Sequence, residues 1–331
     1  MANDLRTLYT QEVPDLTLNF HSEMPMNSLA ALISPYNVDR FLQENWTKKA
    51  LFVSGEGCKR FEHLFSWQQL NDLLNYRDLS AMDIWTATAE RSRKFPAEEK
   101  PSVLLDRLRQ GETLVINRVE NLIPEIEALV SGFIPDIANN GAGVNVYCSW
   151  PGIQGLRCHY DGQDIFVMQI EGSKQWYVFR DTFKYPLREQ ISLANRELSP
   201  PDEDPYLVCT LNPGDLLYLP RGHWHYAIAT DRPSLHLTFG ITCRTGMNFL
   251  VWLAGQLRQR EIWRQNMPML SEENSAETLS MYLDELFQDL LEFCGSSEID
   301  IVSEYQHYMQ QADNALKTSP LYALPQIDPQ E

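Results

Sequence analysis

No stretch of this chain approaches the run of about 18–20 apolar residues that a membrane-crossing helix requires, so no membrane span is expected. The opening residues MANDLRTLYTQEVPDL lack the basic region and apolar core of a secretory leader. Cysteine is sparse and scattered: Cys58, Cys148, Cys158, Cys209, Cys243 and Cys294 form no CxxC pair. That spacing argues against a zinc cage and against a disulfide framework, and suits a reducing cytoplasm. Positive charge is also short, with 27 Lys and Arg against 45 Asp and Glu and a formal net charge of −18. Such a surface repels nucleic-acid phosphates, so direct nucleic-acid binding is not expected. It either serves solubility alone or attracts a basic protein partner. Internal repeats and low-complexity tracts are missing too, which excludes a solenoid.

What remains is an ordinary globular composition, 44% hydrophobic with 19 prolines spread among periodic segments. At 331 residues the chain can bury a full core, as one main domain plus a smaller one. Residues 28–92 mix short helical patterns with one strand-like piece, ALFVS at 50–54. RKFPAEEKPS reads as a charged, proline-marked loop. ETLVINRV (112–119) reads as a strand, and IPEIEALVSGFI (123–134) as an amphipathic helix with Pro124 in its first turn.

From residue 143 the pattern changes to short strands separated by turn residues: GVNVYCSW, DIFVMQI, KQWYVF, LVCTL, LLYLP, HWHYAIA and SLHLTFGIT. Strands of this length and spacing predict a double-sheet jelly roll. RELSPPDEDP (196–205) is too polar and proline-rich for a strand and reads as a surface loop. After Thr245 the pattern turns helical. Leu279, Leu283, Leu286, Leu290 and Phe293 form one stripe, which either packs on its own domain or makes a dimer interface. LYALPQIDPQE closes the chain as a loose tail. The expected organisation is therefore an N-terminal extension (1–27), an α/β part (28–142), a jelly-roll core (143–245) and a helical C-terminal segment (246–331). The fold class is mainly β with flanking helices.

The chemistry gathers at CHYDGQDIFVMQIEGSK, residues 158–174. On a strand, residues i and i+2 share a face, so His159 and Asp161 converge while Tyr160 points away. YLPRGHWHYA offers a third ligand, with His223 and His225 again at i, i+2. Two histidines and a carboxylate on one face of an octahedral ion make the facial triad of non-haem Fe(II) oxygenases, with positions left open for co-substrate and dioxygen. Lys174 opens the strand expected to fold back antiparallel after DIFVMQI. A lysine buried at a strand start costs several kcal/mol unless an anion meets it. Spacing alone leaves His223 and His225 as rival ligands. Alone, HxD is a weak signal, more often a turn or a surface hydrogen-bonded pair than a metal site. His236 reads as a satisfied buried histidine, and Trp150, Trp176 and Trp224 as core or wall residues with partnered indole N–H groups; a cage for a methylated substrate is the sharper alternative.

The blocks NVYCSWPGIQGLRCHYDGQDIFVMQIEGSKQW and NPGDLLYLPRGHWHYA resemble the Jumonji-C type of Fe(II)/2-oxoglutarate oxygenase, within the cupin-like ribosomal-protein hydroxylase branch. The likeness spans about 28–245. It implies a dioxygenase in which His159, Asp161 and His225 bind iron and Lys174 grips the far carboxylate of 2-oxoglutarate. It also implies that Thr238 assists Lys174, that Asn145 and Tyr147 line the active site, and that His223 is substrate-facing or orients a ligand. The products would be succinate, CO2 and a hydroxylated side chain, with arginine or histidine of a ribosomal protein as the leading substrates. One departure concerns the histidine pocket: histidyl hydroxylases of this branch tend to carry serine where this chain has Gly240. The C-terminal segment is also shorter than the dimerisation and winged-helix extension of the branch, so only the dimerising part is expected here, which would make a homodimer. Other readings are N-methyl demethylation, hydroxylation of a peptide natural product, a cupin metalloenzyme that uses no 2-oxoglutarate, and a non-catalytic adaptor. The cupin would have no need of Lys174, and the adaptor no need of an intact triad.

Overall fold

The structure is a computed structural model that describes residues 28–133, 139–191, 199–269, 275–295 and 300–316. The expected N-terminal extension, the start of the 196–205 loop and the expected C-terminal tail lie outside these residues. Eleven strands are described in chain order: β1 (Leu51–Val53), β2 (Asp83–Ala87), β3 (Ser92–Lys94), β4 (Thr113–Asn117), β5 (Asn139–Ser149), β6 (Asp164–Glu171), β7 (Lys174–Asp181), β8 (Leu207–Leu211), β9 (Leu216–Leu219), β10 (His223–Ala229) and β11 (Ser234–Cys243). The helices are α1 (Leu29–Ile33), α2 (Val38–Glu44), α3 (Trp67–Tyr76), α4 (Pro101–Arg109), α5 (Pro124–Phe133), α6 (Gly246–Leu257), α7 (Ser275–Gly295) and α8 (Ile301–Leu316). None is long and apolar enough to cross a membrane.

Eight strands form a large sheet in the order β1-β9-β6-β11-β5-β4-β2-β3, and β10-β7-β8 form a small one. The expected double-sheet jelly roll is present. Two elements depart from expectation. β2 and β3 were not expected, and RKFPAEEKPS is not one loop: it starts in β3 and ends in the first turn of α4. β3 is a three-residue edge strand, Ser-Arg-Lys, whose charge hides its pairing with β2 while blunting the sheet edge. The second departure is at β7, which does not fold back on β6. It crosses to the small sheet and pairs with β10 and β8. Gly172 makes this crossing workable: its φ is +65°, and a Cβ there would lie 2.0 Å from Pro233 O.

The two faces of the large sheet carry different chemistry. Outward residues Val144, Val146 and Cys148 of β5, Phe166, Met168 and Ile170 of β6, and Leu235, Leu237 and Phe239 of β11 join the α1, α2, α3 and α5 helices in the main core. Inward residues split along the strands. Ile165, Val167, Leu217 and Leu219 meet Trp176, Val178, Leu211 and Ala227 of the small sheet in an apolar plug. At the other end the inward positions of β5 and β11 are Asn145, Tyr147, Ser149, His236 and Thr238, with Tyr147 opposite His236 and Asn145 opposite Thr238. Apolar residues dominate protein interiors, so polar side chains lining the inside of a barrel indicate a site.

The C-terminal stripe divides. Phe293 and Leu290 pack against Trp252, Leu253 and Leu257 of α6 and against Tyr305 of α8. Leu283 of the stripe stays exposed, as do Phe287 and Leu291 elsewhere on α7 and Met247, Leu250 and Val251 of α6.

Candidate metal centre

His159 and Asp161 do not sit within β6. They lie on the extended lead-in before it, where His159 forms an isolated antiparallel bridge with His225 of β10. His159 N–H donates to His225 O (3.1 Å), and His225 N–H donates to His159 O (2.7 Å). The Asp161 carbonyl accepts from Gly222 N–H at 2.9 Å. The lead-in is thus stitched to the turn that carries the third ligand. Tyr160 points the other way, fully buried and edge-on to Trp224.

Side-chain hydrogen bonds set the ring tautomers. His159 Nδ1 lies 2.8 Å from Arg157 O, and His225 Nδ1 lies 3.1 Å from His223 O. A carbonyl only accepts, so each Nδ1 carries a proton, and in the neutral ring that tautomer leaves Nε2 with its lone pair. Both Nε2 atoms face the same carboxylate, His159 at 3.8 Å from Asp161 Oδ1 and His225 at 3.7 Å from Oδ2. One ligand atom from each of the three lies within 4.8 Å of the others. Ligands in cis positions around a small octahedral ion sit about 3 Å apart, a distance that modest side-chain turns reach. Burial, and next the neighbouring His159 ring, hold the His225 pKa down to about 4, so the His225 ring is neutral at pH 7 and ready to donate a lone pair.

His223 is not the rival ligand. The register between β10 and β7 slips here, with His223 opposite Asp181 and His225 opposite Val178. The His223 ring turns to the Tyr206 hydroxyl (2.8 Å) and toward Asp181 (3.9 Å), away from the cavity lining. The expectation that it lines the substrate site is corrected accordingly; its backbone carbonyl, not its ring, orients His225.

Beside the triad, Lys174 is only 2% exposed. Its ammonium donates to Ser149 Oγ at 2.9 Å and lies 5.9 Å from the centre of the Trp176 ring. Burial pushes its pKa down to about 7, with Cys148 opposing weakly. Two more buried polar atoms in the same cavity make no hydrogen bond, Trp176 Nε1 and His236 Nδ1. The expectations of a satisfied His236 and a partnered Trp176 are therefore corrected, while Trp150 and Trp224 do donate, to Glu112 O and Thr182 Oγ1. His236 stacks on Tyr147 with ring centres 4.9 Å apart, and burial and then the Lys174 charge keep it neutral. Burial, and then Asp161, push the Tyr147 hydroxyl well above its ordinary pKa. Asn145 Oδ1 accepts from Arg118 N–H (3.1 Å), its side chain also hydrogen-bonds the Tyr147 hydroxyl, and Thr238 lines both cavities. Unpaired buried polar atoms cost about 1–3 kcal/mol each. A cation, an indole N–H and an imidazole nitrogen grouped this way form a cradle for a carboxylate.

A small inner cavity holds the triad and this cradle, and a cleft of about 810 Å³ opens from Asp161 and Thr238 to solvent. Residues 123–249, which contain every one of these groups, match the JmjC domain family. These residues are therefore similar to a JmjC domain. The chain is 30% identical over 223 residues to the bifunctional lysine-specific demethylase and histidyl-hydroxylase NO66 of Drosophila persimilis, covering 65% of this chain and 32% of that protein. It is 31% identical over 214 residues to ribosomal oxygenase 1 of Rattus norvegicus, covering 62% and 35%. The chain thus spans about a third of the length of these relatives. Among solved structures, the YcfD ribosomal oxygenase of Escherichia coli, in complex with cobalt and 2-oxoglutarate, shares the fold with a TM-score of 0.58 at 19% identity, over 89% of this chain and 74% of that one. Sequence spacing singled out His159, Asp161 and Lys174, while the choice of His225 over His223 came from the resemblance and not from spacing. Spacing missed the unpaired Trp176 and His236, because hydrogen-bond satisfaction depends on which strands meet.

Proposed function

We propose that this chain is an Fe(II)- and 2-oxoglutarate-dependent dioxygenase that hydroxylates a side chain of a protein or peptide. The observation that carries this reading is the pairing of a His-Asp-His set, its two Nε2 atoms free and convergent, with a buried ammonium in the same cavity. His159, Asp161 and His225 would hold the iron. Lys174, with Trp176 and His236 beside it, would hold the far carboxylate of 2-oxoglutarate, and Thr238, Asn145 and Tyr147 would line the space between. When bound, iron and 2-oxoglutarate would supply, with dioxygen as oxidant, an oxidative decarboxylation in which one oxygen atom enters succinate, CO2 leaves, and the other oxygen atom enters a C–H bond. The protein supplies fixed ligands, a placed cation and a largely dry pocket. Tyr147 stays protonated at neutral pH and presents a hydroxyl donor.

Anaerobic titration with Fe(II) and 2-oxoglutarate should produce a weak visible charge-transfer band. A protein indifferent to both would sink the assignment. Mass spectrometry of ribosomal proteins from cells with and without the gene should show a peptide heavier by one oxygen atom.

The net charge of −18 supports a basic protein substrate, of which a ribosomal protein is one, and the six free cysteines support a cytoplasmic location. We assign catalysis to residues 143–245 completed by 28–142, with 1–27 as an extension and 246–331 as a dimerising segment. Exposed Leu283, Phe287 and Leu291 on α7 support a homodimer. Phe287→Asp is expected to convert a dimer to monomers in sedimentation velocity; a wild-type protein that is monomeric at tens of micromolar would end this part of the reading.

A further inference from the structure

Lys174 carries a reactivity that gripping a carboxylate does not use. Its Nζ donates to Ser149 Oγ at 2.9 Å, and among the described residues no carboxylate pairs with it. Ser149 also accepts from Thr113 Oγ1 at 3.1 Å. Gly155 leaves space for this hydroxyl pair, because a Cβ there would lie 2.7 Å from Thr113 Oγ1. Lys174, Ser149 and Thr113 are all closed off from solvent. The amine can therefore lose its proton without stranding a buried carboxylate partner. Its close neighbours are uncharged. Burial keeps the Cys148 thiol and the Tyr147 hydroxyl of β5 protonated, and keeps the His236 ring of β11 neutral. Trp176 of β7 lies beside the amine, and Asp161, His159 and His225 complete the titratable lining of the same cavity. Burial also holds Lys174 at about 7, so most of it is unprotonated at pH 7.5. A lysine of ordinary pKa near 10.4 is unprotonated only about once in a thousand there. The inner cavity has a volume of about 30 Å³, room for about two waters or one small planar group.

We propose that Lys174 is a modification site at which dissolved carbon dioxide adds to the amine, and that the resulting carbamate sits in the cradle formed with Trp176 and His236. The nitrogen lone pair forms an N–C bond, one C=O π bond opens to leave the negative charge on oxygen, and the nitrogen gives up one proton to solvent. Nothing is oxidised or reduced. A carbamate is in effect a carboxylate carried by the lysine itself. Trp176 Nε1, which only donates, and His236 Nδ1, in the tautomer that holds its proton there, are the two unpaired groups that meet its oxygens. The addition needs neither iron nor 2-oxoglutarate. Its consequence rests on the oxygenase reading: a modified lysine cannot grip the far carboxylate, so carbon dioxide competes with the co-substrate for Lys174.

The test holds the metal-free full chain under a fixed pressure of carbon-13-labelled carbon dioxide and reads carbamate carbon by NMR. At pH 7.5 wild type should show a resonance that Lys174→Arg lacks, because arginine keeps its charge. The α-amino group of the chain, with an ordinary pKa near 8, forms its own carbamate in both proteins and shows that the conditions suffice. Trp176→Phe keeps the lysine but removes the indole donor, and should weaken the Lys174 resonance by about five- to tenfold. In wild type the same resonance should fall at least about tenfold between pH 7.5 and pH 6, as the ammonium form takes over. Adding 2-oxoglutarate to wild type should abolish it and spare the α-amino signal, a readout that does not depend on how well any variant folds. A wild type whose only carbamate is the α-amino one overturns the modification site. A Lys174 carbamate that 2-oxoglutarate fails to displace keeps the site and sinks the co-substrate role of this lysine. Binding of 2-oxoglutarate with no Lys174 carbamate sinks the site alone.

Discussion

Asp161→Ala should abolish tight binding of Fe(II), or of Co(II) used in its place, while the apo-protein keeps its melting temperature within a few degrees. Asp161 is the one anionic group of the candidate triad, and both histidine Nε2 atoms are aimed at it. Loss of groups that merely orient a ligand costs about ten- to a hundredfold in metal affinity, so loss of the charged ligand itself should cost at least a hundredfold. The fold has little stake in this carboxylate. Its backbone carbonyl, which Asp161→Ala retains, makes the bond to Gly222, and the side chain is partly exposed. Calorimetry separates the two effects. Metal at a hundred times its dissociation constant stabilises a protein by about 2.7 kcal/mol, so wild type should melt higher with Co(II) and Asp161→Ala should not. His223→Ala is the matched control. It removes a buried ring bonded to Tyr206 and should cost about 1–3 kcal/mol of stability, yet it leaves the His223 carbonyl on His225 Nδ1 and so leaves metal affinity nearly unchanged. A large loss of metal affinity in His223→Ala would reverse the ligand assignment.

The strands from β5 to β11 were legible because their pattern is local. SLHLTFGI alternates strictly, and that alternation alone sends His236 and Thr238 to one face and Leu235, Leu237 and Phe239 to the other. His159 and Asp161 were legible because a short extended segment keeps the same two-residue period outside a ladder. His223 was not: its ring is claimed by Tyr206 and Asp181 from distant segments, and nothing local in Gly-His-Trp-His announces that. β3 was hidden by its charges, and the crossing of β7 by the fact that an antiparallel return and a sheet change use the same Gly-containing turn. The Lys174–Ser149 hydrogen bond and the close approach of Gly155 to Thr113 were illegible for a stronger reason. They join residues 25 and 42 positions apart through the packing of strands, and a glycine carries no pattern of its own. Local period thus revealed which residues face inward, while long-range register decided what they meet there.

Affinity for 2-oxoglutarate should fall as pH rises above about 7, and Lys174→Met should remove that dependence together with roughly ten- to a hundredfold of the affinity. The sign follows from burial. Lys174 is pushed down to about 7 from an unfolded value near 10.4, so the unfolded chain holds the proton more tightly than the native one. The resulting penalty on the fold is full below pH 7 and fades as pH climbs toward 10, because between these values only the unfolded state carries the proton. A carboxylate beside the ammonium raises the lysine pKa again. Above pH 7, binding must therefore take up a proton, and affinity drops by up to about tenfold per pH unit until the pKa of the complex is passed. Lys174→Met keeps the volume, relieves the buried charge and should flatten the rise of stability between pH 7 and 10. Metal affinity in this variant should stay close to wild type, since Lys174 bonds Ser149 and not a triad residue. Calorimetric titration at pH 6.5, 7.5 and 8.5 in buffers of different ionisation enthalpy reads both affinity and proton uptake. Equal loss of metal and 2-oxoglutarate binding, or a wild-type affinity that does not change with pH, would show that the ammonium is a structural donor to Ser149 rather than the anchor of the co-substrate.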